Sequence, residues 1–322
     1  MASIAEIDGL TIPSAAAFLL DTYTGAAAAY SVRRLATATT VLLRVRRDTG
    51  GGTGDDDEAD VTYDLNNELS LDSAISNAST GVTATTLGQF INVGTVGGTT
   101  YTNPDSLTVT ASCYVDTWYD QAASNDAIQN THESQPEIHD GTVNTDLVQE
   151  NGQPALSFDG ANDKLSVATN FTTGTTNRSS FTVAHCLATT PNSQDMVYGM
   201  HNTATSGTLY FFTAESAIRV SGSAVFSSSV QDSQSLCSLI FDGTTTDDIT
   251  LHLNGAAKAQ SSSSGTTINT GSNGFDIGSV PYGSALGAFE GPIQELVFYN
   301  NAKNTTDRSG IESDINTYFS IY

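Results

Sequence analysis

From about residue 150 onward the chain is a succession of short alternating segments, each closed by Gly, Asn or Asp. NGQPALSFDGANDKLSV, SFTVAHCLA, GTLYFFTA, AIRVSG, SLCSLIFDG, DITLHLNGAAKA, NGFDIGS and PIQELVFYN are eight strand candidates. Closely spaced strands without intervening helices predict an antiparallel sandwich or jelly roll. Asn254-Gly255 falls between LHL and AAKA, and two residues that tolerate positive φ predict a tight hairpin there. The period changes at the end of the chain. Ile311, Ile315, Tyr318 and Phe319 form a helical stripe, and Ser309-Gly310-Ile311-Glu312 has the form of a capping box, so a terminal helix closes the sandwich.

The first half is less regular. VLLRVRRD alternates as a strand, with Leu43, Val45 and Arg47 on one face and Arg44 and Arg46 on the other. The alanine-rich stretch 26–35 predicts a short helix, 69–77 a second one, and the Thr/Gly-rich stretch 80–112 further β structure. DTWYDQ reads as a strand, with Thr117 and Tyr119 on one face and Asp116, Trp118 and Asp120 on the other, and residues 122–125 turn the chain back into DAIQ. The expected fold is mainly β: an antiparallel jelly-roll β-sandwich with short N-terminal helices and a C-terminal helix. Residues 1–112 form an attachment and support region and 113–322 the jelly roll, clearest over 150–322, with earlier strands admissible in the same sandwich.

Composition narrows the partners. A hydrophobic content of 38% over 322 residues suits a protein that spreads its apolar residues across many half-buried strands. The net charge of −24 repels nucleic acid and anionic membrane surfaces, so neither is an expected partner. The apolar run 15–20 is too short to span a bilayer, and Glu6 and Asp8 stand where a secretory signal carries basic residues; synthesis in a cytoplasm without export is expected. Cys113, Cys186 and Cys237 lack CxxC spacing, which predicts buried free thiols rather than a zinc site or disulfide framework. No cofactor is expected.

Candidate chemistry is scattered. Arg44, Arg46 and Arg47 either pair with the chain's own carboxylates or dock an acidic neighbour. GGGTGDDDEAD must be a loop; Asp55 and Asp57 are weak calcium candidates there, without the alternate-residue oxygen spacing of a calcium loop. His132, Glu133, Glu137 and His139 make a polar loop, open to a metal but explained by loop polarity. Trp118, Tyr119, Asp120 and Tyr282 are the carbohydrate-binding candidates, with core burial as the competing role for the aromatics. Asp116, Asp120, Asp159, Asp163, Glu215 and Glu295 are available acids, but among 35 carboxylates availability selects nothing. GxSxG, HExxH and P-loop patterns are absent.

The order FDGANDKLSV, LHLNGAAKA, IGS and IQELVFYNNAKNTTDRSGIESDINTYF over residues 150–322 resembles the concanavalin A-like lectin/glucanase superfamily in its laminin-G-like form. The series AAAAYSVRRL, VLLRVRRD, TWYDQ, QPEI and NGQPALSFDGANDKL over 26–165 is similar to a module of tailed-bacteriophage virion proteins and, more distantly, to the catalytic sandwich of fungal-type α-L-arabinofuranosidases. That sandwich carries a glutamate in its nucleophile strand and a vicinal cysteine pair; the strand that looks equivalent here, SFTVAHCLATT, has no glutamate and one cysteine. The resemblance therefore implies a non-enzymatic structural protein on a phage virion surface, as capsid decoration, head fibre or short tail appendage. Its implied partners are other virion proteins and itself, as a homotrimer. A host-glycan adhesin and a divergent glycoside hydrolase are the alternatives.

Overall fold

The computed structural model describes residues 17–50, 55–92, 94–96, 99–101, 111–141, 146–187, 195–200, 209–214, 217–220, 223–226, 233–261, 265–272, 274–279 and 288–322. Among these residues strand pairing is antiparallel, and nineteen strands belong to one continuous hydrogen-bonded sheet folded on itself as a sandwich. The ten-residue strand Glu290–Tyr299 organises it. One edge pairs with Arg178–Ala184, and Ser235–Phe241, Ile249–Leu253 and Ala256–Lys258 follow in turn. The other edge is divided between Ala26–Ser31 and Leu156–Asp159.

Leu156–Asp159 then leads through Glu137–His139 to Ser112–Trp118, which also pairs with Leu43–Asp48 and Ala127–Ile128. From Ala127–Ile128 the sheet continues through Leu165–Val167 and Phe275–Ile277 to Asp195–Met200. Strands from before and after residue 112 thus share one sheet. Between its two layers lies an aromatic cluster: Phe298 meets Tyr198, Phe171 and Phe275 at centroid distances of 5.0, 5.2 and 5.2 Å. Such offset and edge contacts add to the burial of large rings.

Among the described residues three α-helices accompany the sheet: α1 (Leu19–Thr22), α2 (Leu87–Ile91) and α3 (Thr305–Phe319). The terminal helix is as expected in place but starts earlier. Asn304, not Ser309, caps it by accepting the Asp307 N–H at 3.0 Å, while Ser309 donates back to the Thr305 carbonyl inside the first turns. Ile311, Ile315 and Phe319 are buried against the sheet. The 254–255 hairpin forms as expected, with φ of 51° and 73° at Asn254 and Gly255.

Two helix expectations are corrected. Ala26–Ser31 is a strand: its alanines have high helix propensity, but both of its edges find partners, Glu290–Tyr299 on one side and the 120–125 turn on the other, and tertiary pairing overrides propensity. Residues 69–77 form turns and the two-residue strand Ile75–Ser76. The nearby helix is instead α2, within the stretch read as β structure, with Thr86 as its N-cap.

Candidate functional site

Trp118 ends its strand with its side chain fully buried, its ring 5.9 Å from Tyr30 and its indole N–H donated to the Ser31 carbonyl at 3.2 Å. A ring without an exposed face offers no sugar platform, so the carbohydrate-binding role for Trp118 is corrected to a core role. Asp120 is equally committed. Its carboxylate accepts the N–H groups of Ala29 at 2.8 Å, Ala122 at 2.9 Å and Asn125 at 3.0 Å, tying the turn to the free edge of Ala26–Ser31. Gln121 donates to the Ser31 and Arg33 carbonyls and accepts from Leu35 N–H. Tyr119 donates to Asp60 at 2.9 Å. Tyr119 and Asp120 do border a shallow groove of about 460 Å³ with Asp60 and Asp126. Tyr282 and Glu215 lie outside the described residues.

The arginine stripe is internal. Arg44 bonds Glu58 at 2.7 Å and Asp60 at 2.9 Å; Arg46, buried, reaches Asp56 at 2.8 Å; Arg47, also buried, meets Asp57 and the Phe90 carbonyl. Docking an acidic neighbour with Arg46 and Arg47 is therefore corrected to internal pairing: neither guanidinium is accessible. The same pairing draws Asp57 away from a calcium loop, and Asp55 accepts the Thr49 N–H. Among the described residues no group of three His, Cys, Asp or Glu side chains is placed to hold a metal ion. Cys113, Cys186 and Cys237 are buried and form no disulfide among the described residues, and burial pushes the Cys113 thiol up to about 12.

The side chains that do converge come from segments far apart in the chain. A groove of about 370 Å³ is lined by Glu133 from the 132–134 turn, Glu137 from the strand Glu137–His139, Asp159 and Asp163 from the FDGAND turn, and Arg46 with Gln135 at its floor. Arg46 lies 5.1 Å from the Tyr114 ring and donates to Gln135 at 2.7 Å, which fixes the floor. The turn is self-supporting: Asp159 accepts the N–H groups of Ala161 and Asn162, and Asp163 accepts that of Asp159 at 2.9 Å. Gly160 takes φ 75° within it, a conformation that suits a residue without Cβ.

Burial raises Glu137 to about 7, helped by the charge of Asp140 and opposed by a Ser112 hydroxyl. Asp163 also rises to about 7, by burial and then by the charge of Asp159, with Glu137 adding to it against the Asp159 N–H bond. With both carboxyls raised by burial in one groove, one protonated and one ionised is an accessible pairing, the state in which one can donate and the other accept. Of the polar loop 132–139, His132, Glu133 and Glu137 reach this groove, whereas His139 is buried with Nδ1 3.0 Å from the Ala111 carbonyl. Asp159 and Asp163 were visible only as two acids among many. Tyr114 was not singled out, Gln135 entered only as part of QPEI and Arg46 only as a docking residue, and their shared groove is what brings them together.

No family model matches the chain, and no curated protein sequence matches it either. Solved structures do share its fold. An arabinofuranosidase complexed with arabinofuranosyl-α-1,2-xylobiose aligns over 92% of this chain and 64% of its own, with a TM-score of 0.53 at 13% identity. A GH54 α-L-arabinofuranosidase soaked with a cyclic sulfate inhibitor aligns over the same shares, with a TM-score of 0.55 at 13% identity. The chain spans less than two thirds of the length of these proteins. They run against the expectation of a non-enzymatic virion component, which is thereby corrected: the fold likeness covers nearly the whole chain and is to glycoside hydrolases. That expectation rested on the phage-like motif series, the acidic composition, the missing signal segment and the glutamate and second cysteine missing from SFTVAHCLATT; acids reach the groove from other segments.

Proposed function

We propose that this chain is a carbohydrate-active protein that cleaves a glycosidic bond in the groove of Glu137 and Asp163. The observation that carries this reading is the pair itself: two carboxyls in one groove, both raised to about 7. Glycoside hydrolysis needs one carboxylic acid to protonate the leaving oxygen and one carboxylate to serve as nucleophile or to activate water. Glu137, the more exposed of the two, is assigned as the acid. Asp163, held by the Asp159 N–H, is assigned as the partner carboxylate. Tyr114 and Ser157 supply the ring and hydroxyl that orient a sugar. The whole-chain likeness to arabinofuranosidases supports a glycan as the ligand.

The test is a hydrolysis screen on aryl arabinofuranosides and plant-type polysaccharides with wild type, Glu137→Gln and Asp163→Asn. Each variant is expected to lose about 10² to 10⁴-fold in turnover while remaining folded. Wild-type turnover that survives both substitutions removes the site. A second reading, glycan binding without cleavage, is favoured by the use of Asp159 and Asp163 in holding their own turn. It predicts measurable affinity with no turnover in any member of the series.

A further inference from the structure

Away from the acidic groove, α1, the segment around Arg33 and Arg34, the 66–67 turn and the outer edge of α3 enclose another concavity of about 680 Å³. That volume falls within the roughly 300–1,000 Å³ of small-ligand sites. It shares no lining residue with the acidic groove. Its walls set Phe18, Tyr23 and Tyr318 against Asn66, Asn67 and Arg34. Gly310 of α3 makes room for this arrangement, because a Cβ there would collide with the ring hydroxyl of Tyr23.

The charges of the concavity decide what it takes. Arg33 is neutralised within the wall by Glu295 and Asp314, each at 2.8 Å, and its guanidinium lies 5.0 Å from the Tyr318 ring. Arg34 is held between the rings of Phe18 at 4.6 Å and Tyr63 at 4.5 Å. It donates to the Ala36 and Thr37 carbonyls and to Asn67 Oδ1, which occupies three of its five N–H donors. An anionic ligand finds its best cation already paired and meets a chain of net charge −24. An uncharged ligand with apolar faces for the rings and hydroxyls for the amides and Arg34 meets neither obstacle.

We propose that this concavity is an accessory binding site for a neutral oligosaccharide, separate from the acidic groove. The choice of a glycan rests on the proposed function, and the test separates the two. Full-length protein is run in native gels containing neutral arabinoxylan, β-glucan or mannan, as wild type and as Ser313→Trp, Asn66→Ala and Glu137→Gln. Ser313 and Asn66 are exposed residues of the concavity, and thermal unfolding confirms that each variant is folded. Ser313→Trp, which places a bulky ring in the opening, is expected to weaken retardation about fivefold or more, the equivalent of about 1 kcal/mol. Asn66→Ala is expected to weaken it less, and Glu137→Gln to leave it in place. Retardation that persists in Ser313→Trp and Asn66→Ala but vanishes in Glu137→Gln overturns the accessory site and leaves the acidic groove standing. Absence of retardation in wild type by all three polysaccharides also overturns the accessory site, and absence of hydrolysis by that same protein then removes the glycan reading with it.

Discussion

The TWYDQ turn and the acidic groove use the same residue types for opposite ends. In the turn, Trp118, Asp120 and Gln121 are buried or half-buried, and their polar atoms are spent on backbone groups of Ala26–Ser31 and its extension. In the groove, Glu137 and Asp163 face a concavity, and burial, with no ion pair to either among the described residues, leaves both raised to about 7. An aspartate whose oxygens accept three N–H groups is a structural tie; a carboxyl held near neutrality in an open groove is available to exchange a proton. What separates tie from tool is where the lone pairs go, and residue identity says nothing about it.

The sharpest way to break this comparison is to truncate both anchors. Trp118→Ala removes the largest fully buried side chain and the indole bond to Ser31, and is expected to cost about 3 to 5 kcal/mol in chemical denaturation. Glu137→Gln, by contrast, is expected to leave the denaturation midpoint nearly unchanged. If Trp118→Ala proves as stable as wild type, the turn does not hold the fold and the contrast between the regions collapses. Asp120→Ala comes next. It leaves the buried Ala29 N–H without its acceptor and frees the turn, with an expected cost of about 1 to 3 kcal/mol, while Asp120→Asn should recover part of it because one oxygen remains. Equal losses for Asn and Ala would show that charge rather than hydrogen bonding ties the turn down.

Much of the fold was legible in the sequence because it rests on local rules. The alternation in VLLRVRRD, the Asn254-Gly255 pair and the 311–319 stripe each report their own backbone state, and each formed its element. Ala26–Ser31 was not legible: its strand state depends on a partner 264 residues away at Ser31–Glu295 and on the 120–125 turn docking along its edge. A bulge opposite Arg44 and Val45 also breaks the strict alternation expected for DTWYDQ, so that Thr117 and Trp118 are both buried. The groove was legible only in fragments. Glu133, Glu137 and His132 stood out as a polar loop and Asp159 and Asp163 as available acids, but their convergence depends on the pairing of Glu137 with Ser157 across two strands. No spacing rule connects positions 46, 137 and 163.

The pH dependence sharpens the comparison further. Glu137 and Asp163 have folded-state pKa values raised above the unfolded values of about 4.3 and 3.9. The folded protein therefore binds their protons more tightly, and that contribution to stability is fully present below about pH 4 and lost as pH rises through about 7. Glu137 is half-buried, and solvent screening there reduces the effect. Asp116, Asp126 and Asp276 are raised as well, so the informative quantity is a difference. Between pH 4 and 8 the stability of wild type should fall more steeply than that of a Glu137→Gln, Asp163→Asn double variant. Parallel curves for the two proteins would mean that the groove carboxyls are ordinary acids and would remove the basis for assigning them proton transfer.

The smallest expected effect lies at Arg44, which sits beside the turn without belonging to its buried network. It is partly exposed, as is Glu58, so solvent screening limits the gain, and its buried second partner Asp60 keeps the Tyr119 hydroxyl. Arg44→Met retains the aliphatic stem and should change stability by less than about 1 kcal/mol. Arg46→Met should cost more, because it strips the buried Gln135 of its donor and opens the floor of the groove. The two neighbouring arginines thus divide as the two regions do: one at the surface with partners that water can replace, one buried beneath side chains assigned to chemistry. Equal responses to the two substitutions, measured by denaturation and by the neutral-pH titration of Glu137, would show that Arg46 does not support the groove.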